Sequence, residues 1–161
     1  ISVFGLAERM NVDRKEAKEL IEGYFTTYPQ IKEYMDKSIE IARNQGYVET
    51  IFQRKRYLPD INSRNATVRG YAERNAINAP IQGSAADIIK VAMSRIHKQF
   101  ESNNLKAKMI LQVHDELNFS VPKAEKAIVE EIVIREMETA FAMQVPLKAD
   151  CGWGKNWLEA H

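Results

Sequence analysis

The chain has 161 residues, of which 45% are hydrophobic and 28% charged, the balance of an ordinary soluble globular domain with a real core. A net charge of +1 excludes any global signature of a nucleic-acid binder, so a basic surface has to be local. Cys151 is the only cysteine, which excludes an intramolecular disulfide and suits a reducing cytoplasm, and no apolar run reaches the roughly 20 residues that a bilayer-spanning helix needs.

The first third reads as helical. Asp13 followed by Glu16 is a capped start, and Ala17, Leu20, Ile21 and Tyr24 then share one face of a helix that should stop before Pro29. Ile31, Tyr34, Met35 and Ala42 mark a second helix closed by Gly46, and both apolar stripes are expected in the core. Residues 47–52 are β-prone. The cluster Arg54-Lys55-Arg56, with Tyr57, Pro59, Asn62 and Arg64, then reads as a basic, irregular loop.

Residues 66–79 are helical again. Arg74 and Asn78 fall one helical turn apart on one face, and Gln82 extends that line if the chain continues in the same direction past Pro80. One cation and two amides at this interval suit a phosphate backbone and a base edge; a solvent-exposed polar face is the other reading. Gly83-Ser84 should begin a further helix with Ser84 and Asp87 as its capping pair. Ala85, Ile88, Ile89, Ala92, Ile96 and Phe100 make the buried stripe of that helix, and His97 beside it, lacking a ligand partner, is assigned a structural place.

Two apolar alternations follow, Met109, Leu111, Val113 and then Leu117, Phe119, Val121, which predict two half-buried strands meeting near Asp115. A tight hairpin prefers Asn-Gly or Asp-Gly, yet His114, Asp115 and Glu116 bring no glycine and concentrate charge. A broken local rule hints at function. Carboxylates raised on a rigid hairpin suit a divalent cation, which takes hard oxygen ligands together with substrate phosphate and water; a solvated acidic turn is the bland alternative. Residues 124–143 read as a helix with Val129, Ile132, Val133, Met137, Ala140 and Phe141 inward, residues 145–151 as a strand, and Gly152-Trp153-Gly154 as a turn before Trp157 and Leu158. Together these predict an α+β fold, an antiparallel sheet backed by long helices that displays the hairpin tip at its open face.

Three motifs in register carry a resemblance: Gln82-Gly83-Ser84-Ala85-Ala86-Asp87, Gln112-Val113-His114-Asp115-Glu116, and Gly152-Trp153-Gly154-Lys155-Asn156-Trp157-Leu158. With Phe4-Gly5-Leu6 and Arg56-Tyr57-Leu58-Pro59 in the same order, the whole chain resembles the polymerase domain of A-family DNA polymerases of the bacterial polymerase I type. The resemblance implies that residues 1–65 form distal fingers helices and the basic loop, and residues 66–161 part of a palm with the catalytic hairpin. It implies catalytic roles for Asp115, Glu116 and His114. Asp115 would be one of two aspartates holding two Mg²⁺ ions, Glu116 an auxiliary metal-site carboxylate, and His114 a neighbour of the primer terminus. Arg74, Asn78, Gln82 and Gln112 would line the primer-template beside the catalytic centre, with Arg54, Lys55 and Arg56 adding contacts to DNA. The implied reaction is attack of a primer 3′-hydroxyl on the α-phosphate of a dNTP, in DNA replication and repair in the cytoplasm of a bacterium, at the nucleoid.

The departures from that family are equally specific. Its nucleotide-binding fingers helix and its other metal-binding aspartate would lie before Ile1, and Ile1 opens neither with methionine nor with a recognisable signal peptide, so the chain is expected to be a piece of a longer polymerase, inactive alone and able to self-associate. Gln53 stands where the family usually has glycine and Lys55 where it usually has arginine. Two rivals remain: a stand-alone nucleic-acid-binding module using the Arg54 loop and the Arg74 face, and a self-contained metal-dependent phosphodiesterase, which would need Asp60, Asp87 or Asp150 as further ligands.

Overall fold

The computed structural model describes residues 2–160. In chain order the elements are the helices α1 (Val3–Met10), α2 (Arg14–Thr27) and α3 (Pro29–Gln45), the strands β1 (Tyr47–Glu49) and β2 (Lys55–Tyr57), and the long helix α4 (Ala66–Ser102). The strands β3 (Lys108–Val113) and β4 (Glu116–Ser120), a 3-10 turn (Lys123–Glu125), α5 (Lys126–Glu138) and the short α6 (Trp157–Ala160) complete it. Long helices with small antiparallel sheets, β1 with β2 and β3 with β4, are the expected α+β composition. The chain divides into two compact units, one made of residues up to 49 with 55–80, the other of 50–54 with residues from 81 on.

In the first unit the helix ends follow local chemistry. The Asp13 carboxylate accepts the Glu16 N–H at 2.8 Å and opens α2, and Pro29 opens α3 at a position where its missing N–H would have had no partner anyway. Gly46, at φ +79°, closes α3. Ala42 of α3 packs with Val48, Leu58, Ile61, Ala72 and Ala76 in a small core. The Tyr34 hydroxyl donates to the Ile77 carbonyl at 3.1 Å, and Arg43 meets Glu73 at 2.6 Å.

Two expectations fail in this unit. The α2 stripe is not core: Ala17 is buried, but Leu20 is 44% and Tyr24 48% exposed, and Ile31 and Tyr34 of α3 are exposed as well. A 3.6-residue period tells which residues share a face, not what covers it. The basic segment is also not all loop, because Lys55, Arg56 and Tyr57 pair with Glu49, Val48 and Tyr47. Cross-strand partners hold it there: Lys55 lies 4.0 Å from Glu49, and the Tyr47 and Tyr57 rings meet at 5.7 Å.

In the second unit Ile89, Ala92, Ile96 and Phe100 of α4 are buried as expected, with Ala92, Ile96 and Phe100 packing against Val129 and Ile132 of α5, Met109 of β3, and Leu117 and Phe119 of β4. His97, by contrast, sits on the exposed side of α4 with Nε2 3.4 Å from Glu101. Pro80 does not end α4, which runs through it, so Ser84 and Asp87 are interior residues and not a helix cap. Their polar groups serve the 50–54 loop instead. Ser84 Oγ accepts the Ile51 N–H at 3.0 Å, and Arg54 donates through Nε to Asp87 Oδ1 at 2.9 Å and through Nη2 to the Gly83 carbonyl at 3.3 Å. Glycine at 83 permits this approach, since a Cβ there would fall 2.7 Å from Thr50 Cγ2.

The C-terminal third also departs from expectation. The helix expected over 124–143 is α5 alone, ending at Glu138, and Arg95 takes up the Thr139 carbonyl at 2.8 Å just beyond that end. Phe141, outside the helix, stacks edge-on against Phe52 at 5.2 Å. Residues 145–151 form no strand, because a strand requires a partner. The Ala149 N–H goes to Glu138 Oε1 at 3.2 Å, and Val145 lies in solvent.

Candidate catalytic hairpin

The β3–β4 hairpin is an alternating pair interrupted once. Met109 pairs with Phe119 but Leu111 with Asn118, so Ile110 is the extra residue of a bulge. Beyond it the phase changes. Met109, Leu117, Phe119 and Val121 pack on the core, whereas Leu111, expected inward with them, is 46% exposed.

Val113 pairs with Glu116, which leaves His114 and Asp115 as a two-residue turn at the predicted place. Such a turn requires a left-handed residue, and His114 takes that role at φ +54°, at a cost of about 1 kcal/mol for a residue with a Cβ. The Gln112 side chain offsets part of it by donating Nε2–H to the His114 carbonyl at 3.0 Å.

The two adjacent carboxylates have different surroundings. Glu116 Oε1 accepts from Asn118 Nδ2 at 3.1 Å and from the Trp157 indole at 2.7 Å, which holds the group in one orientation. Asp115, exposed at the turn, carries no hydrogen bond or ion pair among the described residues. A held acid beside an available one suits a cation that takes one or two protein carboxylates and completes its shell with water and phosphate. Among the described residues no group of three or more His, Cys, Asp or Glu could hold a metal by itself.

The remaining polar candidates lie on other elements. Arg74, Asn78 and Gln82 are all exposed on α4 at the expected one-turn intervals. The Arg74 guanidinium stands 5.8 Å from the Tyr71 ring centroid, and the Asn78 and Gln82 amides make no side-chain hydrogen bond among the described residues. Lys55 sits 4.3 Å from the Tyr47 ring centroid, and Tyr47 foremost, with Tyr57 and Glu49 behind it, pushes the ammonium's pKa up. Arg56 is exposed without an ion pair among the described residues, while Arg54 is engaged by Asp87.

Asn118 and Trp157 are the Glu116 hydrogen-bond donors to which sequence reasoning assigned no place. The second left a faint signal, the Asn156-x-x-Glu159 spacing of a capping box. Glu159 N–H donates to Asn156 Oδ1 at 3.1 Å and Asn156 Nδ2 back to Glu159 Oε1 at 2.8 Å, which folds the short helix that presents Trp157. Cys151 precedes this tail; though exposed, it is partly desolvated, and that, then the Glu130 charge, pushes its thiol up.

Comparison with known proteins agrees across the whole chain. Residues 1–159 match the family described as DNA polymerase family A. The chain is 55% identical over 159 residues to a DNA polymerase I of Caldicellulosiruptor bescii, covering 99% of this chain and 19% of that protein. It is 52% identical over 160 residues to one of Streptococcus pneumoniae, covering 99% of this chain and 18% of that protein. Its fold matches the polymerase domain of Pol1 from M. smegmatis, in complex with DNA primer-template and dNTP, with a TM-score of 0.96 and 42% identity, over 99% of this chain and 28% of that one. The chain thus spans under a fifth of the length of these two curated relatives. A match over this extent shows that the chain belongs to DNA polymerase family A.

Proposed function

We propose that the chain supplies the catalytic hairpin and part of the DNA-contacting surface of a DNA-directed DNA polymerase, which adds deoxynucleotides from dNTPs to a primer 3′-hydroxyl in bacterial replication and repair. The observation that carries this reading is the Asp115 carboxylate, raised on a strained turn beside an acid that two donors hold in place. The M. smegmatis relative, bound to primer-template and dNTP, supports DNA and nucleotide as partners. In this reading residues 1–65 belong to the fingers and 66–161 to the palm, and the complete protein works in the cytoplasm at the nucleoid.

Asp115 would hold Mg²⁺ through its exposed carboxylate, with Glu116, kept in one orientation by Asn118 and Trp157, as the second carboxylate beside it. The chemistry supplied by bound Mg²⁺ is activation of the attacking hydroxyl and stabilisation of the leaving pyrophosphate. His114, fixed by the turn, stands by the primer terminus. Arg74 neutralises phosphate charge, Asn78, Gln82 and Gln112 offer amides to the primer-template, and Lys55, Arg56 and the exposed side of Arg54 add backbone contacts. The stand-alone binding module, using the Arg54 loop and the Arg74 face, is the weaker reading, because it leaves the adjacent Asp115 and Glu116 carboxylates without a role.

Primer extension is the test. The complete protein should incorporate nucleotides under template direction, and the isolated chain should not, because it has a single carboxylate pair where the family uses a further aspartate and a nucleotide-binding helix. Failure of the complete protein to extend a primer overturns the polymerase reading; extension by the isolated chain overturns the claim of inactivity. The exposed apolar residues of α1 and α2, Phe4, Met10, Leu20 and Tyr24 among them, lead us to expect the isolated chain to self-associate, and a monomer in sedimentation at all concentrations would contradict that.

A further inference from the structure

We infer that Trp157 is a positioning residue for the Glu116 carboxylate, which makes the last helix of the chain part of the catalytic hairpin; the inference rests on the polymerase reading above. The two residues are 41 positions apart, yet the indole Nε1–H meets Glu116 Oε1 at 2.7 Å, the length of a charge-assisted hydrogen bond. Indole nitrogen can only donate, so the contact has a fixed polarity. Asn118 donates to the same oxygen from within β4. Two donors converging on one oxygen fix the plane of the carboxylate next to Asp115.

Burial does not account for the place of this tryptophan, because the residue is 48% exposed and belongs to neither buried core. The path of the tail does. Upstream, Trp153 donates to Glu130 Oε2 at 2.8 Å, with the Lys126 ammonium 4.7 Å from its ring centroid. Downstream, Glu159 binds back to Lys155 N–H at 3.0 Å and to the Asn156 side chain. The chain doubles back so tightly that a Cβ on Gly152 would overlap the Ala160 carbonyl oxygen, and one on Gly154 would sit 2.5 Å from Glu159 Cβ. A tail anchored on α5 and folded on itself brings the indole to one spot.

A double-mutant cycle in the complete polymerase tests this. Trp157→Phe keeps the ring and removes the donor. It should lower single-turnover incorporation on the order of tenfold, the usual scale for losing a group that orients a metal-site ligand. The Mg²⁺ concentration for half-maximal rate should rise and primer-template affinity should hold. In a Glu116→Ala background, which removes the acceptor, the same substitution should cost nothing further, because its effect passes through the carboxylate. A readout independent of turnover accompanies it: with 5-fluorotryptophan incorporated, the ¹⁹F resonance that Trp157→Phe removes should move on Glu116→Gln. An unchanged rate in Trp157→Phe, an additive loss in the double variant, or an unmoved resonance overturns the inference while leaving the polymerase reading intact. No extension by the unsubstituted protein overturns both.

Discussion

Arg54 and Asp87, 33 positions apart, meet Nε to Oδ1 at 2.9 Å, and the two ends of this pair sit in different surroundings. The Arg54 side chain is 56% exposed and that of Asp87 only 12%, with Asp87 Oδ2 buried and without a hydrogen-bond partner among the described residues. Removing the cation leaves a desolvated acid with one bond fewer, so Arg54→Ala should destabilise the chain by about 1–3 kcal/mol. Adding Asp87→Ala should recover part of that loss, since the buried charge then disappears. Urea unfolding of the single and double variants checks this, and a double variant no more stable than Arg54→Ala would contradict it.

Gln53 offers a prediction of the opposite sign. Its φ is +62°, where a side chain costs about 1–2 kcal/mol and glycine nothing. Glycine's extra freedom in the unfolded chain takes back about 0.5–1 kcal/mol. Gln53→Gly should therefore stabilise the loop modestly, by about 0.5–1 kcal/mol. A lower unfolding midpoint for Gln53→Gly would show that the Gln53 side chain contributes more than its backbone strain removes.

On the DNA side, Arg74 has no acidic partner among the described residues and rests on the Tyr71 ring, so its charge is available. In the complete protein Arg74→Ala should weaken primer-template binding and reduce the slope of log affinity against log salt by about 1, the signature of one lost phosphate contact. Filter binding or anisotropy over a salt series measures it. Affinity and slope both unchanged would return Arg74 to a solvated face.

What could be read in the sequence depended on how local the cause was. The Asp13 cap, the Gly46 stop and the His114–Asp115 turn were legible because each is set within a few residues. The α4 continuation through Pro80 was not, since the tertiary fold carries the helix past a residue that local rules treat as a break. Ser84 and Asp87 matched a capping pair in spacing, but their partners, Ile51 and Arg54, are more than 30 positions away. Leu111 lost its place in the core to a one-residue bulge, and a period of two has no means of announcing that. At the site, the carboxylate pair was visible as a broken turn rule. The indole that orients Glu116 was not, because 41 residues separate donor from acceptor.

The central claim is that Asp115 is the carboxylate offered to the reaction and Glu116 the held neighbour. Single-turnover nucleotide incorporation by the complete polymerase carrying Asp115→Ala or Glu116→Ala tests it most directly. The account predicts that Asp115→Ala abolishes most of the chemical step, by at least about a thousandfold, with little change in DNA affinity, because the lost contact acts on charge that develops during transfer. Glu116→Ala should cost less, on the order of ten- to a hundredfold. Near-normal chemistry in Asp115→Ala, or a greater loss in Glu116→Ala than in Asp115→Ala, would contradict it.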